Sequence, residues 1–356
     1  MSHFRLDAQT VASWRGKALI SSYDQPSDAW IFIALHDDSL GTAAGGLRMK
    51  RYRDPSEGLN DCLRLAEAMT LKWAILEMPI GGGKTVLALS RTLSDKERLE
   101  LLERFASLLN SLNGAVATGQ DLGTTLEDMR FLARLTRNVR GIDPSGMPVD
   151  AGRYTALGVL SGMKVALERR FGSASLTRRT VIVEGVGSVG TPLAVAIARE
   201  GANLVLADLQ MKRAELLAQK LGAEVIAPGQ VSETECDVYA PCAIGGTLNV
   251  ATASKLRCSI VAGSANNQLK TPEVAKQLHA RGILYAPDFV INAGGALSYG
   301  LIHQGIKDPQ TISSRMENIG GILEKVFVEA ATENILPYEA AVKRARRNLH
   351  REIAAD

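Results

Sequence analysis

Met69-Thr70-Leu71-Lys72 closes a helical stretch, and Gly81-Gly82-Gly83-Lys84-Thr85 follows it closely. A lysine beside a glycine cluster can carry its ammonium to a ligand that bare backbone also approaches. Two ammonium groups brought close each disfavour the other's charge. One can then bind a carboxylate while the other works, neutral, as a base. The segment is not a P-loop, because GxxxxGK[ST] needs glycine at position 78 and Met78 stands there. Asp121, in Gly119-Gln120-Asp121-Leu122-Gly123-Thr124, is a third such residue between glycines. Each alone reads as a turn or surface residue. Three on one chain with a nucleotide signature read as a site.

That signature is Gly185-Val186-Gly187-Ser188-Val189-Gly190, which fits G-x-G-x-x-G. It follows the apolar run Val181-Ile182-Val183 and opens a helical stretch from Val189 to Arg199, the context in which the pattern binds a dinucleotide. The glycines permit a tight turn and let backbone approach a pyrophosphate, while the helix N-terminus offers N–H groups to the phosphates. Asp208 ends the next strand, 18 residues past Gly190. A carboxylate there can accept hydrogen bonds from both ribose hydroxyls and repel a 2′-phosphate, so NAD is expected over NADP. Lys212 and Arg213 nearby weaken that preference. The competing reading is a glycine turn in an unrelated α/β domain; agreement of turn, helix and acidic residue outweighs it.

These residues need elements to position them. Trp30 to His36 and Ala43 to Met49 read as strands. Ser56 to Ile75 reads as a helix, since Leu59, Cys62, Leu63, Leu65, Ala66, Met69 and Trp73 recur at helical spacing. Pro79 to Gly83 reads as a loop and Thr85 to Leu89 as a strand. Ser94-Asp95-Lys96-Glu97 resembles an N-cap with an acidic first turn, opening a helix to about Leu112. A short strand at Val116 to Thr118 and a helix from Thr125 to Leu135 follow. Gly141 to Gly152 loses all periodicity and reads as a domain linker, before a helix from about Thr155 to Arg170. From Arg179 the chain alternates: a strand at Leu204 to Ala207, a helix at Lys212 to Leu221, strands at Val238 to Ala240 and Ile260 to Ala262. Alternation predicts a parallel, doubly wound sheet. The end, from about Ser313, is helical and charged.

Composition bounds the function classes. With 356 residues the chain can hold two domains, and 46% hydrophobic with 22% charged residues excludes disordered and fibrous classes. A net charge of +3 gives no reason to expect nucleic acid, and Lys343-Arg344-Ala345-Arg346-Arg347 reads as a solvated helix face. Cys62, Cys236, Cys242 and Cys258 form no CxxC pair, so neither a metal site nor a disulfide framework is expected. The start MSHFRLDAQT lacks the apolar segment of a signal peptide, and no run of about 18 apolar residues follows. A cytoplasmic protein without membrane contact is expected.

Taken together and in order, these motifs resemble the glutamate/leucine/phenylalanine/valine dehydrogenases, and within them the subgroup acting on leucine, phenylalanine, valine and tryptophan. The resemblance runs from about residue 30 to 345. It is carried by Gly45-Gly46-Leu47-Arg48-Met49, the segments of Lys72, Lys84 and Asp121, Gly185 to Gly190, Ala240-Pro241-Cys242-Ala243, Ala265-Asn266-Asn267-Gln268-Leu269, and Pro287-Asp288-Phe289-Val290-Ile291-Asn292-Ala293-Gly294-Gly295. It implies an N-terminal α/β catalytic domain plus a doubly wound Rossmann NAD-binding domain, with a cleft between them. The expected bounds are 1–145 for catalysis and oligomerisation and 146–330 for the dinucleotide, with a C-terminal helix, 331–356, returning to the first domain. A homo-oligomer, dimer or larger, is implied.

The resemblance also implies roles. Lys72 holds the substrate carboxylate, Lys84 is the base that activates water, and Asp121 shuttles the proton on the amino nitrogen. Gly45 and Gly46 border the substrate. Thr155, the glycine turn with Val186, Ser188 and Val189, Asp208, the groove Ala240 to Ala243, and Ala265, Asn266 and Asn267 belong to the cofactor. Asn292 helps order the cleft. Glutamate enzymes carry a lysine just before the Gly-Gly pair, and here that position is Ala44, after Ala43. An apolar wall cannot compensate a buried carboxylate. The pocket is therefore expected to take an apolar side chain, with Leu40, Ala44, Met69, Ala296 and Tyr299 as walls. The expected reaction is reversible oxidative deamination of a branched-chain or aromatic L-amino acid to its 2-keto acid and ammonia. One departure is the stretch Met147 to Ala156, where Arg153 and Tyr154 are unusual. It motivates an alternative, a specialised biosynthetic member for an unusual amino or keto acid. A non-catalytic nucleotide-sensing module is a third reading, which Lys72, Lys84 and Asp121 together argue against.

Overall fold

The computed structural model describes residues 8–143, 146, 147, 149–243 and 245–350. The start Met1–Asp7, Pro144, Ser145 and Pro148 of the expected linker and residues 351–356 of the expected returning helix lie outside them. Among the described residues no helix is long and apolar enough to cross a membrane.

The chain divides into two units. The first holds the residues up to Val149, Tyr299–Gly305 and the segment from Ala345; the second holds Asp150–Ser298 and Ile306–Arg344. The first unit contains the strands β1 (Ala18–Asp24), β2 (Ala29–Asp37), β3 (Ala43–Arg51), β4 (Gly81–Leu89) and β5 (Val116–Gln120), in the order β1-β2-β4-β3-β5. β2 runs antiparallel to β1 and β4, whereas β3 runs parallel to β4 and β5. Its helices are α1 (Ala8–Trp14), α2 (Pro55–Ile75), α3 (Asp95–Ser111) and α4 (Leu126–Leu135). Asp54 caps α2 by accepting from the Ser56 N–H at 2.8 Å, with Pro55 at the first helical position. Strand alternation sorts the side chains between two layers. Phe32, Ala34, Val86 and Ala88 meet Leu59, Cys62, Leu63 and Ala66 of α2. Ile31, Ile33, Leu47 and Leu87 pack instead with Leu101, Leu102, Phe105 and Leu109 of α3 and with Met129 and Leu132 of α4.

Gly81–Gly83, expected as a loop, are the first residues of β4 and are buried. The reason is close approach. A side chain on Gly82 would overlap the Thr70 backbone of α2. Glycine here admits a helix against a central strand.

The second unit contains β6 (Thr180–Glu184), β7 (Asn203–Ala207), β8 (Glu224–Val225), β9 (Glu235–Pro241), β10 (Arg257–Val261) and β11 (Leu284–Tyr285). All pairings are parallel, in the order β11-β10-β9-β6-β7-β8, the doubly wound arrangement. Its helices begin with α5 (Ala151–Phe171), α6 (Gly190–Arg199), α7 (Met211–Leu221), α8 (Val250–Lys255), α9 (Glu273–Ala280) and α10 (Asp288–Ile291). Then come α11 (Gly294–His303), α12 (Pro309–Glu333) and α13 (Pro337–Leu349). Helix α5 starts inside the expected linker, because Asp150 accepts from the Arg153 N–H at 3.0 Å and caps it. The helical tail is two helices, parted where Asn334 takes a left-handed backbone at φ +53°. Residues 331–344, expected with the first domain, group with the second unit. There the Tyr338 ring meets Phe289 edge-on. Only from Ala345 does the chain return to the first unit, where Asn348 Nδ2 donates to the Ala74 carbonyl at 2.9 Å.

Candidate active site

Lys84 projects from β4, the central strand of its sheet, and is buried. Its Nζ donates to Asp121 Oδ2 at 2.5 Å. Asp121 stands immediately after β5, where its own N–H donates to Thr124 Oγ1 at 3.0 Å. The room for this pair comes from Gly46 on β3. A Cβ there would lie 2.7 Å from Asp121 Cβ and 3.1 Å from Lys84 Nζ. Two residues along β3, on the same face, Arg48 donates through Nε to the same Asp121 oxygen at 3.1 Å. Its Nη1 reaches Asp61 Oδ2 on α2 at 2.8 Å. Burial pushes the Asp121 carboxyl up, but the Lys84 ammonium and the Arg48 guanidinium outweigh it and hold the group well below the usual carboxylate range.

The other expected substrate residues of this unit lie on neighbouring elements. Lys72 is buried in the last turn of α2, where a cation suits the helix dipole. Ala44 is buried on β3 and its carbonyl accepts from the Trp73 indole at 3.0 Å. Gly45 lies tight against the Gly83 carbonyl. Leu40, Met69 and Tyr299 are half-buried. The Tyr299 ring covers Gly119 of β5, lying 3.4 Å from where a Cβ would stand, and also covers Gly141. Tyr299 is thereby beside the strand that delivers Asp121. Ala296 and Asn292 belong to the second unit.

In that unit Gly185 takes φ +95°, the turn only glycine makes readily. The Val186 N–H donates to Asp208 Oδ2 at 2.8 Å. Arg213 reaches the same oxygen at 2.6 Å, and the Gln210 N–H reaches Oδ1 at 2.8 Å. Asp208, expected only as a ribose acceptor, therefore also fastens the glycine turn to the end of β7. A carboxylate offers about four acceptor sites, and these three bonds leave one for a ribose hydroxyl rather than the two expected. A Cβ on Gly187 would meet no protein atom within 4 Å, so the fold itself does not require glycine there. A pyrophosphate approaching the backbone does. Beyond Ser188 and Val189, α6 opens at Gly190 without a side-chain cap, leaving its N-terminus available to an anion. The residues thus fit a dinucleotide.

Of the remaining expected cofactor positions, Ala240 to Ala243 lie at the end of β9 and Ala265 to Asn267 follow β10, while Thr155 lies on α5. Ala240 and Pro241 end β9, the Cys242 N–H donates to the Glu184 carbonyl at 2.7 Å, and Ala243 lies against Gly185. Asn292 Nδ2 donates to the carbonyls of Ser264 and Ala265, at 3.2 and 3.3 Å, and to Asn266 Oδ1 at 2.9 Å. Asn267 takes φ +50°. Thr155 Oγ1 donates to the Ala151 carbonyl at 2.7 Å, and Gly295 packs beside that hydroxyl. Gly152 at the start of α5 lies against Ser188 of the glycine turn. Arg153, one of the two unusual residues of the departing stretch, is exposed on the first turn of α5.

Sequence reasoning passed over Arg48 and Asp61. Arg48 sat inside a quoted motif, and strand alternation from Gly46 would have placed it on the site face. Asp61 gave no signal. Gln268 and Asp288 were quoted without a role. They secure the loop that presents Ala265 to Asn267: the Gln268 N–H donates to Asp288 Oδ2 at 3.0 Å, and its Nε2 to the Gly263 carbonyl at 2.8 Å.

Comparison with known proteins shows the family. Residues 28–138 match the model of the Glu/Leu/Phe/Val dehydrogenase dimerisation domain, and residues 205–353 match the Glutamate/Leucine/Phenylalanine/Valine dehydrogenase model. Leucine dehydrogenase of Bacillus subtilis (strain 168) is 37% identical over 94% of this chain and 91% of that protein. Phenylalanine dehydrogenase of Lysinibacillus sphaericus is 35% identical over 92% of this chain and 86% of that protein. The crystal structure of L-tryptophan dehydrogenase from Nostoc punctiforme superposes with a TM-score of 0.80 at 33% identity, covering 96% of this chain and 97% of that one. The chain belongs to the Glu/Leu/Phe/Val dehydrogenase family and is an amino-acid dehydrogenase.

Proposed function

We propose that the enzyme catalyses the reversible, NAD-dependent oxidative deamination of an apolar L-amino acid, branched-chain or aromatic, to its 2-keto acid and ammonia. The observation that carries this reading is the Lys84–Asp121 pair, closed at 2.5 Å in the space left by Gly46. Lys72 binds the substrate carboxylate. A nicotinamide held by the glycine turn would supply the acceptor for the hydride of the substrate α-carbon, and loss of that hydride leaves an imino acid. Lys84 takes a proton from the water that adds to this carbon. Asp121 takes a proton from the substrate ammonium before the hydride leaves and returns it to the amino nitrogen once water has added. As the C–N bond breaks and ammonia departs, the hydroxyl proton goes to Asp121 and the keto acid remains. In the reverse direction the same two groups return the protons.

The apolar specificity is supported by buried Ala44 and by the Tyr299 ring beside β5, since neither offers a charge to a distal carboxylate. NAD is supported by Asp208 at the end of β7, whose negative charge disfavours a 2′-phosphate. The matched dimerisation domain supports a homo-oligomer assembled through the first unit. A cytoplasmic setting, with small molecules as the only other partners, completes the proposal.

A reductive-amination screen over 2-keto acids with ammonia, read as NADH and NADPH consumption, tests it. Turnover is expected with the keto acids of leucine, valine, phenylalanine or tryptophan and with NADH. Lys84→Ala is expected to lose at least about 10²-fold in kcat while still binding NADH. A flat trace over the whole panel, or a Lys84→Ala variant within a few fold of the parent, refutes the reading.

A further inference from the structure

Lys84 and Asp121 do not stand alone. Arg48, only 13% exposed, spans two carboxylates, Asp121 at 3.1 Å and Asp61 at 2.8 Å. Asp61 is itself held by three side chains. Arg48 comes from β3, the Tyr52 hydroxyl just after β3 donates to it at 2.8 Å, and Arg64 one turn along α2 donates at 2.7 Å. Two further ionisable groups lie against this cluster: the Cys62 thiol of α2, which donates to the Lys84 carbonyl at 3.4 Å, and Lys50 of β3, whose Nζ is 4.9 Å from the centre of the Tyr52 ring. The result is a chain of polar contacts running from Tyr52 and Arg64 through Asp61 and Arg48 to Asp121 and Lys84.

We propose that Arg48, anchored on Asp61, is a positioning residue that fixes the Asp121 carboxylate for reaction. The proposal rests on the assignment of Lys84 as base and Asp121 as proton carrier. Its logic is a charge count at one oxygen. Asp121 Oδ2 accepts from both Lys84 and Arg48. A base must be neutral before it takes a proton, and at that stage Lys84 brings no charge to Asp121. Arg48 does not titrate in the working range, so it keeps one cation on Oδ2 throughout the cycle. With Oδ2 engaged by both cations, the orientation of the carboxylate is fixed while acceptor capacity remains for the substrate nitrogen. Without Arg48, a buried carboxylate beside a neutral lysine would draw a proton and swing toward whatever donor remained.

The test compares Arg48→Met, Arg48→Lys and Asp61→Asn with the parent and with Lys84→Ala, all as full chains. Read-outs are kcat, KM, the pH profile of kcat, NADH binding and the 13C shift of the Asp121 carboxylate during titration. Arg48→Met is expected to lower kcat about 10²-fold with KM changed less than threefold, because the loss is one of alignment. The acid limb of its profile is expected to move to higher pH, together with the Asp121 carbon shift. Arg48→Lys is expected to restore most of the rate, and Asp61→Asn to show the same changes in weaker form. A merely structural role would lower the melting temperature without moving the acid limb or the carbon shift, and that result overturns the proposal. If Arg48→Met does not fold, Arg48→Lys and Asp61→Asn decide by the same read-outs. If Lys84→Ala keeps its rate while the Asp121 shift still follows Arg48, the base assignment fails and the positioning of Asp121 stands.

Discussion

A hydrogen atom at Gly46 decides whether Lys84 and Asp121 can meet. Gly46→Ala puts a methyl 2.7 Å from Asp121 Cβ and 3.1 Å from Lys84 Nζ, closer than side chains pack. Asp121 follows the end of β5 and has more freedom than a strand interior, so it is the partner that yields. A displacement of this kind costs about 10²-fold in kcat. Steady-state kinetics and NADH titration of Gly46→Ala check this, with nucleotide affinity expected unchanged. At this scale the sequence was most readable for residues set off by glycine, such as Lys84 and Asp121. Arg48 and Asp61 lie in ordinary strand and helix patterns. Their importance comes from a contact between β3 and α2 that spacing along the chain does not reveal.

Among the elements, β4 is where local propensity and the fold disagree. Three consecutive glycines have weak strand propensity and no side chains to show alternation. That is why Gly81–Gly83 read as a loop. Tertiary contact overrides the propensity: β2 and β3 pair with this segment on either side, and α2 presses on its face. Gly82→Ala forces a methyl into the Thr70 backbone of α2, an overpacking that costs about 1–3 kcal/mol. Urea unfolding of Gly82→Ala is expected to show a lower midpoint with an unchanged slope. The start of α5 was misplaced for a different reason. Asp150 caps a helix whose first residues, Ala151 and Gly152, are weak in apolar pattern, so the boundary lay in the cap rather than the periodicity. The capping sequence at Ser94 was legible because its Glu97 partner sits at the fixed offset of a capping box, which the structure contains.

Over the whole molecule, acid stability depends on carboxylates tied to arginines across elements. Asp128 is the representative case. Burial raises its carboxyl, but the Arg98 hydrogen bond and the Thr125 N–H prevail and set it below its ordinary value. Asp24 with Arg104 and Asp61 with Arg48 shift the same way. A folded-state value below the unfolded one means stability that is complete above about pH 4 and drains as pH falls through the folded value. Urea unfolding free energies at pH 7 and pH 3 are expected to differ less for Asp128→Asn than for the parent, with the variant weaker at pH 7. The two-unit division was only partly visible in the sequence. The alternating pattern marked the parallel sheet, but charged helices α12 and α13 carry no sign of which unit they serve. Only contacts such as Tyr338 with Phe289 and Asn348 with Ala74 decide that. The central position of β4 has a last consequence. Interior strands with partners on both edges exchange their amide hydrogens only through the largest openings of a fold. Lys84, the proposed base, is mounted on such a strand, so warming is not expected to loosen it by fraying. Lys84 should keep its place until the sheet of its own unit unfolds.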